Sequence, residues 1–242
     1  MVSVKMMAAC LTMVCAMSAS ASAQEGLGFG LGASMDQDGF QVGSSLGAGG
    51  IRWERDRTGR WSMSVARTQW VETRLPLFPK NLVEGNLRPR ESYATTFIVS
   101  RPLGTLDIAP GAWWGLSGIG VEAEGTLSLH DGLQDHAETT LGVMLRSPKA
   151  DVAGLGEVGV GWANGFSYAF SDPAFERGAS GARGVDSERL QYYMGFEATF
   201  TPAVAPNIEI FGRLHHRSGI YGVISPDDTG SNMLGGGVRL NF

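Results

Sequence analysis

The sequence predicts an all-β fold: an antiparallel outer-membrane β-barrel of about 8–12 strands. Three observations predict it. Segments of roughly ten residues alternate apolar with polar or small side chains and are separated by turn residues, with helical periodicity nearly absent. The chain opens with an export signal, and no later apolar stretch approaches the ~20 residues that a spanning helix needs. At the other end Val238, Leu240 and Phe242 alternate up to a terminal aromatic residue.

The export signal is read over residues 1–23. Lys5 supplies the positive start, Met6 to Met17 the short apolar core, and Ala21-Ser22-Ala23 the small-residue cleavage site before Gln24. Both cysteines, Cys10 and Cys15, fall inside it, so the mature domain 24–242 is expected to have no disulfide or thiolate chemistry. A lipid-modified Cys10, preceded by Ala8-Ala9, is the lesser alternative. Removing Lys5 takes the formal charge from -5 to -6. The remainder is mildly acidic without a basic stripe, which speaks against a nucleic-acid partner. The 35 glycines follow no collagen period.

Strand candidates follow in order. Leu27 to Ala33 alternates with glycines, and Phe40 to Trp53 follows the turn Asp36-Gln37-Asp38-Gly39. Trp61 to Val71 precedes a charged, proline-bearing stretch, Glu72 to Glu91, read as a long loop. Next come Ser92–Arg101, Thr105–Trp114, Val121–His130, Glu138–Arg146 and Leu155–Ala169. A second long polar segment, Phe170 to Ser187, leads to Glu188–Thr201, Asn207–Tyr221 and Asn232–Phe242. Bacterial barrels close with an even number of strands, so this set of eleven holds one error, placed between Thr105 and His130. A secreted β-sandwich is the structural rival.

In a barrel the chain end lies at the periplasmic rim, so Asn207 to Tyr221 climbs outward. Along it Ile208, Ile210 and Leu214 share one parity and Glu209, Arg213, His215 and Arg217 the other. The apolar set should face lipid. His216 and Ser218 belong to it, side by side on one flank near the headgroups. A serine becomes a nucleophile when a neighbouring base takes its proton and a third group orients that base. The plain alternative is a pair of interfacial polar residues at the rim.

The string Leu214-His215-His216-Arg217-Ser218-Gly219 on the penultimate strand, followed by a polar loop and a last strand ending in Phe242, resembles the lipid A 3-O-deacylase family of outer-membrane barrels and its uncharacterised His-His-Arg-Ser-Gly relatives. Leu129-His130-Asp131-Gly132, Gln134-Asp135-His136-Ala137-Glu138 and Gly165-Phe166-Ser167-Tyr168-Ala169 extend the likeness over Val121 to Phe242. The resemblance implies that His216 is the general base and Ser218 the nucleophile that removes an acyl chain from lipid A. Where that family has an asparagine after the serine to hold the oxyanion, this chain has Gly219, and backbone amides would have to serve. Where it has an acid on the last strand, this chain has Gly230. Asp228 is the expected orienting acid by chain order, with Asp227 beside it. Pairing the preceding hairpin about its turn puts Glu188 opposite Ile220 as the geometric rival.

His130 and His136 flank the loop Asp131 to Asp135, expected outside and solvated, although a divalent ion bridging lipid phosphates could sit there. His215 is expected in an interior charge network with Arg213, Arg217, Glu197 and Glu209, which could equally line a narrow pore. Trp53, Trp61, Trp70, Trp113, Trp114 and Trp162 read as girdle or packing, and Gly235-Gly236-Gly237 as tight strand packing. No cofactor and no resident metal are expected. The expected partners are outer-membrane lipid or lipopolysaccharide and, through Phe242, the barrel-assembly machinery. The expected location is the bacterial outer membrane. The reading is a serine esterase of outer-leaflet lipid; the alternative is a non-enzymatic barrel acting as channel, surface or structural protein.

Overall fold

The computed structural model describes residues 31–44, 50–111, 114–173, 176, 188–220, 222–225 and 229–242. The proposed signal, Trp113, Asp227 and Asp228 lie outside the described residues, as does most of Phe170 to Ser187. In chain order the elements are β1 Leu31–Met35, β2 Gly39–Ser44, β3 Gly50–Arg55, β4 Ser62–Val71, α1 Phe78–Val83, β5 Pro89–Gly111, β6 Trp114–Gly132, β7 Ala137–Arg146, β8 Ala150–Asp151, β9 Gly156–Ala169, β10 Leu190–Pro202, β11 Ile208–Ser218 and β12 Gly230–Asn241. All strand pairings are antiparallel within one twelve-stranded sheet. Eight of the strands close on themselves in the order β4, β5, β6, β7, β9, β10, β11, β12, with β12 pairing back onto β4. Strands β3, β2 and β1 add in turn to the far half of β5, outside the ring.

The structure departs from the eleven expected strands at more than one place. Phe40 to Trp53 divides between β2 and β3, and two expected strands merge in β5 at residues 102–104, just before the stretch where the error is placed. Ser92–Arg101 and most of Thr105–Trp114 are not two strands but parts of the 23-residue β5, and Trp114 opens β6. Pro102 and Gly104, which fall between the two expected strands, are absorbed as a register shift against β6. A bulge accepts a proline because the residue there need not donate to the ladder. The stretch 72–88, expected to be plain loop, holds a 3₁₀ turn at Leu75–Leu77 and the short helix α1. Pro76 and Pro79 stand in their first turns, where the missing N–H costs nothing.

Alternation sorts the ring into two faces. Outward-pointing Val65, Phe97, Leu127, Leu141, Val160, Phe196, Ile210 and Val238, one from each ring strand, are large, apolar and exposed. Inward-pointing Thr68, Thr96, Glu124, Thr140, Ser167, Glu197, Arg213 and Arg239 are instead polar and buried, with two small clusters, Ala66–Ile98–Phe211 and Met144–Ala163–Tyr193, among them. Trp61 and Trp162 are exposed, whereas Trp70 is buried against the ring and belongs to packing, not to a girdle.

Among the described residues four cations and four carboxylates knit the middle of the interior. Arg213 binds Glu124 at 2.5 Å and also contacts Glu197 and the Tyr193 hydroxyl. Arg239 binds Glu197 at 2.9 Å and contacts Glu209, while Arg146 reaches Glu122 at 2.8 Å and Glu197 at 3.0 Å. Lys149 closes on Glu209 at 2.7 Å. Groups this buried stay ionised only because each charge meets an opposite one.

Gly235 and Gly237 let β12 reach β4. A Cβ on Gly235 would run into the Arg67 carbonyl, and one on Gly237 into the Val65 carbonyl and the Phe211 ring. Backbone cannot step aside, so Gly235→Val is expected to exceed the ~1–3 kcal/mol of ordinary overpacking and to block closure. Gly212→Ala, whose Cβ would have no neighbour nearer than 3.8 Å, should fold normally. The fraction of chain that refolds in detergent, read from circular dichroism, checks both.

Candidate functional site on the outer face

Strand β11 carries His216 and Ser218 on its outward face, each half-buried near the rim opposite the chain end. Pairing sets their neighbours. His216 stands opposite Met194 on β10 and Asn232 on β12; Ser218 stands opposite Tyr192 and Gly230. Residues directly opposite in an antiparallel pair share a face.

The partner of His216 is an amide. Its Nδ1 lies 2.7 Å from Asn232 Oδ1, while Asn232 Nδ2 donates to the Thr73 carbonyl at 2.5 Å. The Thr73 contact fixes which way the amide points, because a carbonyl can only accept. Oδ1 therefore faces the imidazole and Nδ1 must carry the proton. Nε2 is left with the lone pair, the state that a general base requires. Ser218 Oγ accepts from the Ile220 N–H at 3.4 Å, and no hydrogen bond joins it to His216.

The segment 72–88 folds back over this flank as a strap. Its Phe78 packs with Val71 and Leu214, with Leu75, Leu87 and Leu234 around them, so outward positions on three strands are covered rather than exposed. Leu77, Leu82 and Val83 on the far side of the strap are themselves exposed.

Of the predicted orienting acids, Asp227 and Asp228 lie outside the described residues, and Glu188 is not brought to this site. Tyr192 opposite Ser218 sets a register in which Leu190, not Glu188, would face Ile220; Glu188 precedes the strand and is exposed. The symmetric-turn assumption shifted that hairpin by two residues. Gly219 is buried, and its carbonyl accepts from the Ile224 and Ser225 amides at 3.0 and 3.4 Å. The amide that donates to the serine oxygen is that of Ile220. Sequence reasoning missed Asn232, although pairing β11 with β12 residue by residue would have found it.

A second polar cluster lies inside the ring, beneath the same rim. His130 and His136 are 4 % and 7 % exposed, so both rings point inward with Gln134, while Asp131, Gly132, Leu133 and Asp135 of the loop between them are exposed as expected. Their rings stack at 4.2 Å, and the His130 N–H donates to the His136 carbonyl across the turn. Glu138 accepts from His130 Nε2 at 3.0 Å, His215 Nε2 at 2.9 Å and Ser167 Oγ at 2.7 Å. His215 thus belongs with Glu138 and not with Glu197 and Glu209, which serve the arginines. Arg217 binds Glu176 at 2.7 Å. Burial, with His130 alongside, pushes the His136 imidazole down to about 4, so it is neutral at ordinary pH.

Compared with family models, curated proteins and solved structures, the chain matches none.

Proposed function

We propose that this chain is an outer-membrane β-barrel esterase that cleaves acyl chains from lipid A or a related outer-leaflet lipid. The carrying observation is the fixed chain Thr73–Asn232–His216, which presents an imidazole lone pair on the outward face beside Ser218. An inside-out distribution supports the membrane part: an apolar belt outside and satisfied charges inside are what a closed sheet needs in lipid. A site on the outer flank would meet an acyl ester from the bilayer itself, without passing through the lumen.

In this reading His216 Nε2 takes the Ser218 proton as Oγ attacks the ester carbonyl. The Ile220 amide, which now donates to Ser218 Oγ, would turn to the carbonyl oxygen as the oxyanion develops. His216 then returns the proton to the leaving alcohol, and water releases the fatty acid from the acyl-serine by the same route in reverse. Asn232 takes the orienting role that the family resemblance gives to an acid; a neutral orienter of histidine also serves cysteine proteases. The strap would shape the acyl groove, its apolar outer side in lipid.

The non-enzymatic alternative is favoured by one observation, the Ser218 oxygen bonded to a backbone amide rather than to His216. As a channel the chain is ill suited, since Arg213, Arg239, Glu124 and Tyr193 fill the middle of the ring.

Mass spectrometry of lipid A from cells expressing the wild type, Ser218→Ala, His216→Ala and an empty vector is the test. Loss of one acyl chain with the wild type alone is expected. An acylation pattern identical in all four would leave only the structural reading.

A further inference from the structure

The β6–β7 turn at this rim has three polar atoms without a partner among the described residues: both ring nitrogens of His136 and the Oε1 of Gln134. Buried polar groups are normally paired, so three orphans within one short turn need an explanation. Nitrogens of His130 and His136 and a Glu138 carboxylate oxygen all lie within 4.8 Å of one another.

We propose that His130, His136 and Glu138 form a binding site for a divalent transition-metal ion of the zinc class. One ion accounts for two of the three orphans, one His136 nitrogen and the Gln134 oxygen, and leaves the other His136 nitrogen to carry the ring proton. It takes a His136 nitrogen directly. It takes His130 through Nε2, which now donates to Glu138, so the neutral imidazole moves its proton to Nδ1. Nδ1 at present lies 3.2 Å from Gln134 Nε2. Once it is protonated, the Gln134 amide turns about and offers its unpaired Oε1 instead. A metal-bound histidine whose other nitrogen donates to an oxygen is the usual arrangement, because that bond fixes the tautomer and raises ligand basicity. Glu138 is similarly held from behind, by His215 and Ser167 on its other oxygen.

The donor types choose the ion. Two imidazoles and one carboxylate suit zinc, cobalt, nickel or copper, whereas calcium and magnesium require shells made almost wholly of oxygen. Donors around tetrahedral zinc stand roughly 3.3 Å apart, given bonds of about 2.0–2.1 Å, so the present spread must tighten. His136 is the member able to move, since its ring is tied by stacking alone. The ion would pin the β6–β7 turn to the interior and, through Glu138 and His215, to β11. The site lies on the opposite side of the sheet from His216 and Ser218, and it stands whether or not that pair is catalytic.

Titration of the full chain, folded in detergent, with Co(II) tests the proposal. The expected result is one ion per chain, with the visible absorption of a low-coordinate cobalt site and displacement by zinc. His136→Ala removes no hydrogen bond and should fold with wild-type circular dichroism. Its cobalt affinity is expected to fall by more than the ~10–100-fold that loss of a ligand's supporting partner costs. His215→Gln should fall within that smaller range. Folded wild type that takes up no cobalt or zinc overturns the proposal, and so does folded His136→Ala that binds as tightly as wild type.

Discussion

Replacing Glu197 by glutamine is expected to destabilise the closed sheet by about 3–5 kcal/mol. This one carboxylate serves Arg213, Arg239 and Arg146. Each arginine keeps one other carboxylate, respectively Glu124, Glu209 and Glu122, so the network is weakened rather than emptied. Glutamine keeps the shape, which excludes a cavity as the cause, but it removes the charge and turns an amide N–H₂ towards guanidinium groups. The cost of breaking a buried pair comes from the uncompensated partner left behind. Urea unfolding in detergent micelles measures the change. Adding Arg146→Gln to Glu197→Gln should recover part of the loss, because the two share one interaction and their effects will not add. A loss below about 1 kcal/mol would mean that water already screens these charges and that the interior is hydrated.

That network shows what a period of two can and cannot reveal. Parity alone assigned Glu209, Arg213, His215 and Arg217 to one face, and all four are buried inside the ring. Pairing partners are another matter. Glu124 and Arg213 lie 89 residues apart and meet across the interior, a contact no local pattern encodes. His130 and His136 were misplaced for a related reason. A short turn between polar residues reads as solvated, but here its backbone bond and ring stack carry both imidazoles inward. The outer site was legible in part. His216 and Ser218 fall on the outward face as their spacing required, yet the orienting group was sought by chain distance from the serine. Gly230, the position so reached, stands opposite Ser218, and the residue opposite His216 is Asn232. The strap over the site was invisible because Glu72 to Glu91 has the composition of a loop, and only its contacts with Leu214 and Leu234 give it a role.

Asn232 therefore carries the sharpest functional prediction. If the proposed esterase reading holds, Asn232→Ala should lower kcat by about 10²–10⁴-fold, towards the cost of holding a catalytic histidine in the wrong tautomer, with little change in KM. Without Oδ1 the imidazole can rotate or place its proton on Nε2, and then it cannot accept from Ser218. Asn232→Asp separates orientation from charge. A carboxylate in the same place still accepts from Nδ1, and it stabilises the imidazolium that forms when Ser218 is deprotonated, so kcat should be retained or raised. The Thr73 carbonyl opposes this change, because the bond it now accepts from Nδ2 would become a repulsion between two oxygens. The strap should loosen in that variant, which faster amide exchange over residues 72–88 would register. Equal activity in Asn232→Ala and wild type, with both folded, would show that the amide only fastens the strap, and that His216 owes its orientation to something else.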